Sequence, residues 1–339
     1  MGREGPKSAR RPRCLSTLEP LRVEGYSATA QRRLAGGARK FPHRIELLRS
    51  DIFSYRAKVV DRMSISGVQE KISLRLHRGK LAPTATDGDY ILKPAPGAEH
   101  LALRGDVPAN EQLTMLIAER VFKIESAVNG CIRLADGELA YVTRRFDRRG
   151  KDKVPQEDFC QLMERSQETH GANYKYTGSY EDLGHILRKF CSAYRIEVER
   201  LFQRIVFCYA FSNGDAHLKN FSLLQTAVTK DYVLTPAYDL LCSGLHVPDE
   251  SRLALDLFSD DFETPSSRAR GFNTGACFLE LARRFGIAAP RRERLLAPFI
   301  ERSKDVLDLV RSSFLSPEAR TDYVSRYEDR LLALRAGID

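Results

Sequence analysis

No run of about eighteen apolar residues occurs in this 339-residue chain, so no membrane-spanning helix is expected. The opening stretch, MGREGPKSARRPRCLSTLEP, is basic but lacks the apolar segment of a secretory signal. None of the seven cysteines (Cys14, Cys131, Cys160, Cys191, Cys208, Cys242, Cys277) falls in a Cys-x-x-Cys pair, and their number is odd. That argues against a zinc site and a disulfide framework, and predicts reduced, mostly buried thiols in a cytoplasmic protein. Internal repeats are missing as well. What is present is 42% hydrophobic and 29% charged residues, enough to build a sizeable core and too apolar for bulk disorder. The length accommodates two lobes.

The net charge of +9 is unevenly placed. Residues 1–50 carry +8, while residues 51–339 carry only +1. The basicity therefore belongs to one end, which could touch phosphate, a membrane surface or an acidic partner. Residues 1–13, rich in Gly, Pro, Ser and Arg, are expected to be a disordered basic tail. Residues 14–60 read as a small appended segment, interrupted by Gly36-Gly37.

From Ser64 the pattern changes. Ser64–Gln69 is a small-residue loop, and 71–76 alternates as a strand does. Arg78-Gly79 reads as a turn. Residues 89–93 form a second strand stopped by Pro94, and a helix opens at Pro108 and runs to about Phe122. Two further strands are expected near 129–134 and 139–144. After that the periodicity is helical: 183–193, 197–211 and, from Gly275 onward, amphipathic helix broken near Pro290 and Pro317. Two short strands, 221–224 and 232–235, follow a polar loop at 212–220. The fold class is α+β, with a β-rich lobe (61–145) before a helical lobe (146–339) and a ligand cleft at the junction.

The densest polar cluster is Asn213-Gly214-Asp215-Ala216-His217-Leu218-Lys219-Asn220, held between an apolar helix and an apolar strand. Asp215 and Asn220 have the spacing of a base and a Mg²⁺ ligand in kinase catalytic loops, and Asp239 supplies a second hard oxygen after the following strand pair. The same loop could also be no more than a polar turn. His217, lacking a neighbouring His or Cys, reads as support for the loop. Lys219 could offset phosphoryl charge or be solvated. Lys93, ending an apolar strand, can direct an ammonium at phosphate, with Glu111 as its orienting partner. Lys71 is a further phosphate contact. Ser64 and Ser66 can cover phosphates or accept one. Val142–Asp147 leaves the last strand of the first lobe, where Arg144 and Phe146 could offer backbone groups to an adenine edge and Asp147 could reach a ribose hydroxyl.

Taken together, these segments resemble the HipA-like serine/threonine kinases of bacterial toxin–antitoxin modules. The carriers are Ser64–Lys71, Leu92-Lys93-Pro94, Pro108–Glu111, Arg144–Arg148, Pro155–Gln161, Asn213–Ser222 and Pro236–Leu240, in family order over about residues 60–310. The resemblance implies a bilobal protein-kinase-like fold using ATP and Mg²⁺. Asp215 would be the catalytic base and Asn220 and Asp239 the metal ligands. Lys93 would hold phosphates, and Ser64, Ser66, Lys71, Glu111, Arg144, Phe146, Asp147, Gln156 and His217 would complete the nucleotide site. Ser64, with Ser66 as second candidate, matches the autophosphorylated serine that silences family members. An aminoacyl-tRNA synthetase is a substrate the family implies, growth arrest the outcome, and a DNA-binding antitoxin the partner, with no membrane involved. Only about 60 residues precede the Ser64 loop, as in the short HipT-type members, in which a separate small protein supplies the missing subdomain.

Two other classes fit parts of the sequence. An antibiotic phosphotransferase also uses a Gly-Asp-x-x-x-x-Asn loop. A catalytically inactive repressor subunit would use the basic end, and its DNA binding would weaken steeply with salt.

Overall fold

The structure, a computed structural model, describes residues 11–52, 70–150 and 152–338. After a helix α1 (Ala28–Ala35), the first lobe is a five-stranded antiparallel sheet of order β2-β1-β3-β5-β4. Its strands are β1 (Ile72–His77), β2 (Lys80–Pro83), β3 (Tyr90–Pro94), β4 (Asn129–Arg133) and β5 (Leu139–Arg144). Arg78 and Gly79 both take positive φ, 49° and 79°, which matches the right-handed twist of a two-residue hairpin and closes β1 on β2 with His77 opposite Lys80. β3 lies between β1 and β5, so the strand that carries Lys93 is central.

Helix α2 (Val107–Arg120) begins with proline in its first turn, where no amide hydrogen is required. Every residue from Val107 to Ala118 is buried, because one side faces the sheet and the other the helical lobe. The polar residues on this buried helix, Asn110, Glu111, Gln112 and Thr114, are each hydrogen-bonded, as burial demands. The second lobe contains a short hairpin, β6 (Arg148–Arg149) with β7 (Asp152–Lys153), then β8 (Gln156–Asp158) and the helices α3 (Phe159–Leu162), α4 (Gln167–His170), α5 (Tyr180–Phe190) and α6 (Tyr194–Ala210). Strands β9 (Ser222–Gln225) and β10 (Tyr232–Leu234) join β8 in a three-stranded sheet of order β10-β9-β8. Helices α7 (Pro265–Arg270), α8 (Gly275–Arg284), α9 (Ala289–Glu301), α10 (Ser303–Ser312) and α11 (Pro317–Arg335) complete it. The helix breaks expected near Pro290 and Pro317 are present, at 285–288 and 313–316; each proline sits in the first turn of the helix that follows, α9 and α11, while Pro298 lies inside α9.

Two apolar cores result. The larger joins α2 to the second lobe. The smaller binds Leu34, Phe41, Ile45 and Ile52 to Leu74, Tyr90, Leu92 and Val142 of the sheet. The segment before the sheet also runs along the outer edge of β4. Leu15 O accepts from Cys131 N–H (2.6 Å), Ile45 N–H donates to Arg133 O (2.8 Å), and Arg133 N–H donates to His43 O (3.0 Å). Ser16 Oγ and the Tyr26 hydroxyl donate to Asn129 O and Cys131 O. Gly130 permits this approach: a Cβ there would lie 3.1 Å from Leu15 O. All seven cysteines are buried and free. Among the described residues no helix is long and apolar enough to cross a membrane.

Candidate active site

The site lies where the end of β3, the start of α2 and the loops after α6 and β10 converge. Lys93, near the end of β3, is 4% exposed. Its Nζ donates to Glu111 Oε1 (2.5 Å) and to Asp239 Oδ1. Burial pulls the ammonium's pKa down, but Asp239 and Glu111 more than offset this and hold it above the ordinary lysine range. Glu111 is 1% exposed, and burial pushes its carboxyl up to about 6 against the pull of Lys93. For Asp239, burial acts upward, yet Lys71 and Lys93 hold the carboxyl well below the usual carboxylate range. Lys71 Nζ stands 3.5 Å from Asp239 Oδ2. Lys93, Glu111, Lys71 and Asp239 are thus brought together as one charge cluster. Asp239 adopts a left-handed backbone, φ 53°, a strained conformation of the kind that collects at functional loops.

The Asn213–Asn220 loop is fixed at both ends. Asn213 Nδ2 donates to Asp239 O (3.4 Å), and the Tyr238 hydroxyl donates to Lys219 O (2.8 Å), so the loop and the Asp239 segment are tied twice. Gly214 N–H donates to Glu250 Oε2 (3.2 Å), and a Cβ on Gly214 would lie 2.3 Å from Ser251 O. No other residue fits there without moving the loop. Asp215 is half-exposed, with its side chain at 46%. Its Oδ1 accepts from the Tyr176 hydroxyl at 2.5 Å. His217 is buried, 3.9 Å from Asp215 Oδ1, and burial lowers its pKa to about 4, so the imidazole is neutral at physiological pH. Lys219 is paired with Asp158 Oδ2 at 3.1 Å.

The residues present fit Mg²⁺. Asn220 Oδ1 is buried and has no hydrogen-bond partner among the described residues. Asn220 and Asp239 would offer Mg²⁺ an amide oxygen and an ionised carboxylate, the hard donors that ion takes.

The remaining candidates are spread around this centre. Arg144 ends β5 opposite Tyr90, its N–H already donated to Val128 O (2.8 Å) and its guanidinium against Gly36. The Phe146 ring lies 5.7 Å from that of Tyr238. Asp147 is buried, with both carboxylate oxygens held by Arg145 (2.8 and 2.6 Å) and one also by Arg148 (2.9 Å), so a ribose hydroxyl would have to share them. Gln156 starts β8, opposite Leu224. Ser64 and Ser66 lie outside the described residues. The sequence reading missed Tyr176, Glu250 and Asp158. Only the Asn-Tyr-Lys-Tyr-Thr stretch between Gly171 and Gly178 could have drawn attention to the first.

The model of the family described as "HipA-like C-terminal domain" matches residues 63–307. The chain belongs to this family. Among relatives of the HipA-like chain is a Haemophilus influenzae protein named "Putative kinase", 26% identical over 95% of this chain and 96% of its own length. Two Sinorhizobium fredii proteins, "Putative kinase Y4mE" and "Putative kinase Y4dM", are each 32% identical over 56% and 58% of the chain. The chain spans 44% and 48% of those two, less than half of each. Among solved structures, the HipA-like fold matches a chain of the Shewanella oneidensis complex of HipA, HipB and operator DNA. The TM-score is 0.58 at 21% identity, covering 85% of this chain and 70% of that one. The fold is thus α+β and bilobal, protein-kinase-like in the HipA manner, with a β-rich first lobe and a helical second lobe.

Proposed function

We propose that the chain is an ATP- and Mg²⁺-dependent serine/threonine protein kinase, the toxin of a toxin–antitoxin pair. The observation that carries the reading is the buried ammonium of Lys93 joined to Glu111 and Asp239 beside the Asp215–Asn220 loop. A lysine held this way is a fixed point charge for phosphate oxygens, and the carboxylate on α2 sets its direction. Lys71 adds a second cation on the same side. Asp215, on a loop tied at Asn213 and Lys219, accepts the proton of the acceptor hydroxyl as that oxygen bonds to the γ-phosphorus and ADP departs. Asn220 and Asp239 would hold Mg²⁺, which supplies charge neutralisation on the phosphates. Neutral His217 supports the loop without competing for the proton. Positioning and electrostatics provide most of the acceleration.

In this reading residues 61–145 cover the nucleotide, 146–339 carry the catalytic loop, 14–60 are an appended segment and 1–13 a basic tail. Arg144 and Phe146 border the adenine, with Asp147, Gln156 and His217 at the rim of the site. Phosphorylation at Ser64 or Ser66 would silence the enzyme by placing about −2 charge in the nucleotide loop. The HipA–HipB–DNA complex matched by the fold supports a small antitoxin as partner, with DNA reached through it in the cytoplasm and no membrane involved. The substrate would be a translation component such as an aminoacyl-tRNA synthetase.

The test is phosphoryl transfer from labelled ATP with Mg²⁺ to proteins of a bacterial lysate, beside an Asp215→Asn variant and an aminoglycoside control. Label on Ser or Thr of discrete proteins, lost in the variant, supports the reading. Label on the aminoglycoside alone would replace it with small-molecule phosphotransfer.

A further inference from the structure

Tyr176 stands where an acceptor hydroxyl has to stand. A base that removes a proton must lie within about 2.6–3.2 Å of the oxygen that gives it up. The Tyr176 hydroxyl already donates to Asp215 Oδ1 at 2.5 Å. While it does so, the phenol takes up the place on Oδ1 that an incoming hydroxyl, of water or of a protein, would use.

Burial is not what holds the ring there. Tyr176 is 38% exposed and is the one tyrosine among the large exposed hydrophobic residues described. Its ring meets the edge of His217, 5.1 Å between centroids at 74°, and Lys175 Nζ lies 4.8 Å from its centroid. The hydrogen bond to a carboxylate is the strongest contact the side chain makes. Partial desolvation of the hydroxyl where it meets Asp215, reinforced by that bond and by the charge of Asp215, raises the phenol pKa well above its ordinary value, so the hydroxyl stays protonated and remains a donor.

The segment is also placed to leave. Gly171 (φ 71°) and Gly178 (φ 120°) bracket residues 172–177, both in the region that favours glycine. Between them the chain is exposed or half-buried and folds on itself through Asn173 O, which accepts from Tyr176 N–H and Thr177 Oγ1. A protein docking on the face of Asp215 would meet this segment first.

We propose that Tyr176 is a stand-in acceptor that biases the choice between hydrolysis and transfer: it holds the position on Asp215 Oδ1 against water until a protein hydroxyl displaces it. The inference rests on Asp215 being the base. Without Tyr176, water gives a proton to Asp215 while its oxygen bonds to the γ-phosphorus. The bond from that phosphorus to the bridging oxygen breaks, and its electron pair leaves with ADP, so ATP and water become ADP and phosphate.

The test uses the full chain, treated with phosphatase and shown by intact mass to carry no phosphate. ADP release from Mg-ATP is measured without acceptor, and label transfer with bacterial lysate, for wild type, Tyr176→Phe, Tyr176→Ala, Asp215→Asn and the Tyr176→Phe/Asp215→Asn pair. Nucleotide affinity and thermal melting are followed alongside. Both Tyr176 variants are expected to release ADP at least about tenfold faster, the scale of one hydrogen bond to a charged group. The gain should vanish in the double variant, and Tyr176→Phe should melt as wild type does. Unchanged or slower ADP release in both Tyr176 variants, with wild-type labelling intact and Asp215-dependent, would overturn the stand-in role and leave the kinase reading standing. Labelling by Asp215→Asn at the wild-type rate, or no ADP and no label from any form, would remove the kinase reading and this inference with it.

Discussion

Lys93 and Glu111 are 18 residues apart in the chain and 2.5 Å apart in the fold. One comes from the central strand of the sheet and the other from the first turns of the buried helix behind it, so their contact fixes helix to sheet. Asp239 joins the same ammonium from the second lobe. Removing the cation leaves two carboxylates facing each other with less water than they need. Lys93→Met is therefore expected to lose about 3 kcal/mol of stability in denaturant titrations, as well as nucleotide binding. Glu111→Gln leaves Lys93 with Asp239. It should fold, with ATP affinity reduced roughly tenfold by calorimetry.

Gly214 offers a sharper separation of activity from stability. A Cβ at this position would collide with Ser251 O and with the Glu250 side chain at 2.7 Å. Relief requires movement of the loop immediately before Asp215. For Gly214→Ala we expect a fall of about hundredfold in kcat, the cost of misplacing a catalytic group by about an ångström, with nucleotide affinity little changed. A variant with normal kcat would show that the loop can shift without consequence.

Glu250 gives a pH signature. Its carboxyl is pushed from an ordinary value of 4.5 up to about 7, by burial first. The Ser243 hydroxyl bond pulls the other way, and Asp215 adds to the rise. Between these two values the folded chain keeps a proton that the unfolded chain has released. Stability from this group is thus present at the acid end and declines as pH rises through 4.5 to 7. Thermal midpoints of wild type, taken relative to Glu250→Gln, should fall by a few degrees between pH 5 and pH 7.5. Parallel profiles would contradict the assignment.

Asn110, the neighbour of Glu111, clamps the segment after Asp239. Its Nδ2 donates to Cys242 O (2.9 Å), and its Oδ1 accepts from Cys242 N–H (3.0 Å). The second amide hydrogen points at His246 Nε2 (2.9 Å), so that nitrogen accepts and Nδ1–H donates to Ala102 O (2.9 Å). Asn110→Ala takes the partner from the buried Cys242 N–H and from His246 Nε2, while Cys242 O keeps only the Leu245 N–H (3.1 Å). A loss of about 2 kcal/mol is expected in denaturant titrations, together with weaker nucleotide binding as α2 and the Asp239 segment lose register.

Much of this arrangement was legible in the sequence because it is written in local patterns. Alternation marked 71–76 and a short apolar run before proline marked 89–93, and the structure places β1 and β3 within a residue of those bounds. The polar run Asn213–Asn220 between an apolar helix and an apolar strand marked the loop, and the fold holds it between α6 and β9. The pairing of Lys93 with Glu111 was readable from a strand end and a helix start. Tyr176 and Glu250 were not readable. They reach the Asp215 loop from 36 to 39 residues away, Tyr176 from a single 3-10 turn and Glu250 from irregular backbone, where no periodicity reports which way a side chain faces. Asp158 was passed over because its role depends on β8 pairing with β9 across more than 60 residues.

The strip of chain along β4 bears on how far this protein can be shortened. Residues 15–45 occupy outward-facing backbone groups of Asn129, Cys131 and Arg133, yet all of them lie before residue 63, where the family match begins. A chain trimmed to 63–307 would keep every residue assigned to phosphoryl transfer and would uncover a strand with free donors and acceptors. Such an edge recruits another strand, most readily from a second copy. The boundary of the family match and the boundary at which the sheet edge is covered are therefore different places in this protein.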